Sequence, residues 1–228
     1  DERVQKAVNR LQSEQQVFDL VAAGRAAKFK SISVDLIYGL PLQTVESFSA
    51  TLDKIIKLRP DRIATYSYAH LPEMVRAQRL IRKEDMPPPE RKMELLELII
   101  ARLTEAGYVY IGMDHFALPN DELVIAREKG TLQRNFQGYS THAECDLIGL
   151  GITAIGYVAG NYSQNIKVLS EYYACLDEGK LPIQKGYTLS NDDIIRREVI
   201  TDLMCHGIIN FSKFDNKYGI DFKDYFAD

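Results

Sequence analysis

SISVDLIYGLP (31–41) carries the chain's clearest strand signal. It is rich in β-branched residues and closes on Gly39 and Pro41, the pattern of a buried strand. Alternation places Ile32, Val34 and Leu36 on one apolar face suited to packing on helices. Ser31, Ser33, Asp35 and Ile37 form the opposite face. Just downstream, Thr44 is positioned to cap a helix whose Phe48, Leu52, Ile55 and Ile56 recur at helical spacing, and Pro60 stops it. RIATYSYAH (62–70) reads as the next strand. Upstream, the polar start DERVQKAVNRLQSEQQ (1–16) reads as helical, and a second helical pattern covers 13–27. Helix, strand, helix, strand in this order implies an α/β fold with a parallel sheet and right-handed crossovers.

Further along, MPPPE (86–90) breaks the chain before a helix over 91–106, with Gly107 as its left-handed stop. YVYIGMDHF (108–116) reads as one more strand, and short strands and turns follow it. SNDDIIRREVITDLMCHG (190–207) is a capped helix that opens a second, helical unit. The chain starts within a helical pattern and stops soon after this unit begins, which points to a piece of a longer protein.

Among 228 residues, 46% are hydrophobic and 26% charged, with a formal net charge of −4. That composition is globular and offers no basic field for nucleic acid or an anionic membrane. No apolar run approaches the roughly 20 residues needed to span a bilayer, and the polar start carries no secretory core. Cys145, Cys175 and Cys205 recur every 30 residues, which fits neither a zinc knuckle nor a CxxC redox pair. Reduced thiols in a cytoplasmic setting are expected.

Asp35 is the first candidate for chemistry. A carboxylate in a buried strand costs several kcal/mol unless something pairs with it, and an ionised Asp can accept from two adjacent ribose hydroxyls. An arginine partner closing a structural ion pair explains the residue equally well. On the next strand, Ile63, Thr65, Ser67 and Ala69 form a face of small side chains that leaves room for a ligand. Arg10, on the first helix, is by default a surface residue; in a site it would hold a carboxylate bidentately.

NFQGYSTHAECDLIGLGITAIG (135–156) admits three readings. Gly149, Gly151 and Ala154 fit a dinucleotide fingerprint loosely, but no long helix follows. His142, Glu144 and Cys145 lack a zinc spacing and a fourth ligand. The third reading survives: glycines bring backbone close to a flat ligand, with Phe136 and Ile155 as apolar faces and Gln137 as a polar handle.

SVDLIYGLP, YAHLPE, YIGMDHFALPNDEL, RNFQGYSTHAECDLIGLG and ITAIG resemble the oxygen-independent coproporphyrinogen III oxidase (coproporphyrinogen dehydrogenase) family of the radical S-adenosylmethionine superfamily. The resemblance runs over nearly the whole chain and is most specific in 108–156. It implies a three-quarter (β/α)6 barrel with a C-terminal helical domain. Residues 1–186 would be the later part of that barrel and 187–228 the start of the helical domain. It also implies a 4Fe–4S cluster on CxxxCxxC, two S-adenosylmethionine molecules, and a 5′-deoxyadenosyl radical. That radical takes hydrogen from the substrate propionates. Two propionates of coproporphyrinogen III then become vinyls, giving protoporphyrinogen IX in haem biosynthesis, with the cofactors carrying the radical step. By motif, Arg10, Asp35 and Ala69 would contact the second S-adenosylmethionine and Ile155 the one on the cluster. Phe136 and Gln137 would stand beside the cofactor pocket.

This chain departs from the family pattern by containing no CxxxCxxC, and Leu118 stands where the pattern has Arg. Without three thiolates there is no cluster site, so the chain alone is expected to be inactive. A full-length relative would be monomeric, with an electron donor the sequence does not name. An open sheet edge here would favour self-association. A non-catalytic haem or tetrapyrrole carrier on the same scaffold is the alternative. A hydrolase is not supported, because GxSxG is absent.

Overall fold

The computed structural model describes residues 1–142 and 145–227. Ala143, Glu144 and Asp228 lie outside the described residues, and with Glu144 goes one of the three groups of the metal reading. The chain divides into two compact units, Asp1–Glu128 and Lys129–Asp228.

In the first unit, helix α1 (Glu2–Ala7) is capped by the Asp1 side chain and ends at Val8. Asn9 takes a left-handed φ of 50°. Its N–H donates to the Lys6 carbonyl at 3.1 Å, and Arg10 N–H donates to the Gln5 carbonyl at 2.9 Å. That is the paired hydrogen-bond closure of a helix C-terminus, with Asn in the role usually given to Gly. Arg10 therefore lies beyond the helix, correcting its expected place on it. Helix α2 (Glu14–Ala26) starts at a Ser13–Gln16 capping box.

Strand β1 (Ser33–Tyr38) and strand β2 (Arg62–Ser67) are parallel, with Asp35 opposite Ala64 and Ile37 opposite Tyr66. Between them runs α3 (Val45–Leu58), capped by Thr44 as its sequence requires, with Arg59 in a left-handed conformation before Pro60. Helix α4 (Pro89–Glu105) begins with proline at its first turn, where the missing N–H costs nothing, and Gly107 follows its end at φ 86°.

YVYIGMDHF is two strands rather than one. β3 (Val109–Gly112) and β4 (His115–Ala117) form a hairpin with a register shift between Tyr110 and Gly112. Met113 turns the chain with φ 51°, so the glycine inside an otherwise β-rich run marks a reversal. β4 pairs antiparallel to β2, giving the order β1-β2-β4-β3. The sheet is mixed, not wholly parallel. Helix α5 (Glu122–Glu128) closes the unit.

One cluster fills its core: Leu36 from β1, Phe48 and Leu52 from α3, Ile63 from β2, Leu95 and Ile99 from α4, with Ile32, Val34 and Leu118 packed at its edge. The apolar face of β1 is the one its alternation specifies. Ile63 and Thr65 are fully buried, so the first half of the face expected to leave room for a ligand is packed, while Ser67 and Ala69 are exposed. Leu118 joins the core, where arginine would have to bury a charge.

In the second unit, β5 (Gln133–Asn135) and β6 (Gly138–Ser140) make a hairpin. β7 (Ile155–Val158), β8 (Asn161–Asn165) and β9 (Ile183–Thr188) make an antiparallel sheet, with α6 (Leu169–Asp177) between β8 and β9. β9 runs across position 186. Helix α7 (Asn191–His206) has the expected Ser190 cap and Gly207 end. Ile195 of α7 packs with Phe214 of α8 (Phe211–Tyr218) and Phe222 of α9 (Phe222–Tyr225).

Candidate functional site

In a parallel pair, residues opposite one another share a face. The register therefore sends Asp35, Ile37 and Tyr66 to the side of the sheet away from the packed helices. There a cavity of about 500 Å³ opens, lined by these residues with Arg10, Tyr68 and Gln78 among others. Asp35 and Arg10 are both exposed in it. This corrects the expectation of a buried acid: the carboxylate keeps its water, so no burial cost has to be offset. Among the described residues, no hydrogen bond or ion pair reaches either side chain.

The cavity floor is tyrosine. Tyr68 Oη is buried without a hydrogen-bond partner, and burial pushes its phenol up from the ordinary value. The Gln78 amide ties the loop after β2 together: Nε2 donates to the Ala69 carbonyl at 3.0 Å, and Oε1 accepts from Leu71 N–H at 2.5 Å. Ala69 is exposed and stands outside the lining, acting there through that carbonyl. Tyr66 and Tyr68 share this cavity lining without standing out in the sequence. Their signal is the alternation in ATYSY (64–68), which runs opposite to Ile63 and Thr65 and in step with Asp35.

In the second unit, Phe136 is 64% exposed and meets Tyr162 edge-on at 5.2 Å. It lines a cavity of about 490 Å³, whereas Gln137 and Ile155 do not. Gln137 is exposed in the β5–β6 turn, its N–H donating to Asn135 Oδ1 at 2.8 Å. Ile155 is half-buried at the start of β7. Gly149 and Gly156 serve close backbone approach, but to the chain itself. A Cβ on Gly156 would meet the Leu147 carbonyl at 2.9 Å, and one on Gly149 would meet the Ile155 carbonyl at 3.0 Å.

The cysteines are dispersed. Cys145 is exposed, Cys175 lies against the Lys180 and Leu181 carbonyls, and burial pushes the Cys205 thiol up to about 11. That set does not suit an iron–sulfur cluster, which is held by accessible thiolates.

A scan against protein-family models returns no match. The coproporphyrinogen III oxidase of Pseudomonas aeruginosa, described as oxygen-independent, is 50% identical over 228 residues, covering 100% of this chain and 50% of that protein. The protein of the same name from Thermostichus vulcanus is 44% identical over 228 residues, covering 100% of this chain and 70% of that protein. The chain belongs to the oxygen-independent coproporphyrinogen III oxidase family. A solved member from Escherichia coli, described as a radical SAM enzyme, aligns at TM-score 0.95 and 45% identity, covering 100% of this chain and 52% of that one. The chain thus spans about half the length of the P. aeruginosa and E. coli oxidases it matches. Among the described residues, no helix is long and apolar enough to cross a membrane.

Proposed function

We propose that this chain is the S-adenosylmethionine-holding part of an oxidase that converts two propionates of coproporphyrinogen III to vinyls. The product would be protoporphyrinogen IX. The observation that carries this reading is the cavity beside β1 and β2, where Arg10 and Asp35 stand unpaired in one space of about 500 Å³. Its volume falls in the range of small-molecule sites, roughly 300–1,000 Å³. Its two charged groups suit the cofactor's two ends. The Arg10 fork takes the methionyl carboxylate, and Asp35 accepts from the ribose hydroxyls. Tyr66 and Tyr68 give the cofactor an apolar wall, and Ala69 lends its backbone. In the second unit, Ile155, Phe136 and Gln137 would serve the other S-adenosylmethionine of the family's pair.

Bound S-adenosylmethionine supplies the adenosyl group from which the family's hydrogen-abstracting radical comes. Arg10, Asp35, Tyr66 and Tyr68 would bind it and fix its orientation. The 4Fe–4S cluster does not fit the cysteines present. Residues 1–186 are read as the later part of the family's partial barrel and 187–228 as the start of its helical domain, in a cytoplasmic enzyme. Oxidase-named relatives across the chain's whole length favour the enzyme over a haem carrier, which should instead give a defined Soret shift on haem titration.

Equilibrium dialysis of the 228-residue chain against labelled S-adenosylmethionine tests the reading. Saturable binding near one equivalent, lost in Asp35→Ala, is the expected result. After anaerobic iron and sulfide reconstitution, the same chain should release no 5′-deoxyadenosine. Absence of any saturable binding would overturn the assignment.

A further inference from the structure

The cavity of the second unit is lined in part by Arg134, Arg197, Lys213, Lys217, Glu198 and Asp202. Its lysines are spent. Lys213 Nζ lies 3.1 Å from Glu198 and 2.7 Å from Asp202, and Lys217 Nζ lies 2.7 Å from Glu198. Asp146, also in the wall, accepts from Ala159 N–H at 3.0 Å.

The arginines are not spent. Among the described residues neither Arg134 nor Arg197 meets a carboxylate. Each lies on a tyrosine ring instead: the Arg134 guanidinium is 4.8 Å from the Tyr139 centroid, and that of Arg197 is 4.3 Å from the Tyr157 centroid. Arg197 gives one N–H to Tyr157 Oη at 2.8 Å and is otherwise exposed. Arg134 Nη1 is buried and has no hydrogen-bond partner among the described residues. A buried guanidinium N–H left unmade is costly, and its natural complement is an anionic oxygen. Stacking on tyrosine holds both forks flat and pre-oriented, which lowers the entropy lost when a ligand arrives. The exposed ring of Phe136 shares this wall and offers an apolar surface beside the charges.

We infer that Arg134 and Arg197 form a carboxylate-binding subsite for a ligand with an apolar body and short acidic arms. On the reading of function above, on which this assignment rests, the arms are propionates of the tetrapyrrole substrate. Arg197 receives the carboxylate at the cavity mouth. Arg134 lines the same cavity and offers its unpaired N–H to the ligand's acidic arms.

Coproporphyrin III, the stable oxidised form, is the probe, titrated into the 228-residue chain and followed by its fluorescence anisotropy. Arg197→Gln and Arg134→Gln should each weaken binding about tenfold, Arg197→Lys less, and the tetramethyl ester should not bind. Matched melting temperatures establish that the variants fold. Because Arg134 is partly buried, Arg197→Gln serves as the variant least able to disturb folding. Equal affinity of wild type, both variants and the ester would overturn the subsite while leaving the S-adenosylmethionine reading untouched. No binding of coproporphyrin at all would overturn it too, and the dialysis experiment above decides the cofactor reading separately.

Discussion

Arg10 and Asp35 line one cavity, yet no ion pair joins them. Opposite charges that share a space without meeting leave both free for a third partner. A bond between them would have satisfied the local electrostatics and closed the site. Arg10 owes its place to the left-handed turn at Asn9, and Asp35 owes its place to the pairing of β1 with β2.

Asp121 is the chief ionic anchor of the first unit. Its side chain is 4% exposed, takes Arg62 Nε at 2.9 Å and Leu123 N–H at 2.8 Å, and holds Ser31 Oγ at 3.3 Å. Burial pulls the Arg62 guanidinium down, but its hydrogen bonds to Asp121 and Glu122 outweigh that and raise it. Asp121→Ala leaves Arg62 half-buried without this partner, and should cost about 3 kcal/mol in urea unfolding.

Glu198 makes the second unit acid-sensitive. Burial pushes its carboxyl up, but hydrogen bonds from Lys217, Tyr218 and Lys213 win and bring it from 4.5 to about 2. A carboxyl lower in the folded state stabilises above its unfolded value, and the gain is lost as pH falls through the folded one. The window is therefore about pH 4.5 down to about 2. The Glu198 side chain is 20% exposed, so solvent screening reduces the effect to about 2 kcal/mol. Glu198→Gln should be less stable than wild type by this amount at pH 7, and the gap should close by pH 2 in denaturant titrations.

Gly156 is the tightest backbone contact of the 135–156 stretch. Leu147 and Tyr157 exchange hydrogen bonds of 2.7 and 2.8 Å, and an added Cβ at 156 would sit 2.9 Å from the Leu147 carbonyl. Gly156→Ala should cost about 1–3 kcal/mol and raise amide exchange at Leu147 and Tyr157. Unchanged protection there would refute the steric account.

Capping and face alternation were legible because both are local. Thr44 and Ser190 start helices where their hydroxyls can reach the third residue, and Val34 and Leu36 face the core by simple period two. What escaped depended on partners far along the chain. Nothing near Asp35 says that its face stays open, since that is fixed by which elements cover the sheet. The face of β2 was misassigned because Ile63 and Thr65 are small or branched enough for either side, and only the pairing with β1 decides. Arg10 was placed on a helix because Asn9 is a weaker stop than glycine. The reversal at Met113 hid inside a run with strand composition throughout. The family motif singles out Asp35 and Arg10, and the geometry adds Tyr66 and Tyr68 to the same cavity lining.

On the proposed reading, the two ends of the cofactor divide between the two charges of the cavity, Arg10 and Asp35. Calorimetric titration of the chain with S-adenosylmethionine and with 5′-methylthioadenosine, which lacks the amino-acid end, measures that division. Asp35→Asn should weaken both ligands about tenfold, the loss of hydrogen bonds to a charged group. Arg10→Gln should weaken S-adenosylmethionine by a similar factor and leave 5′-methylthioadenosine unchanged. If both variants bind both ligands as wild type does, the cavity between Arg10 and Asp35 is not the adenosyl site.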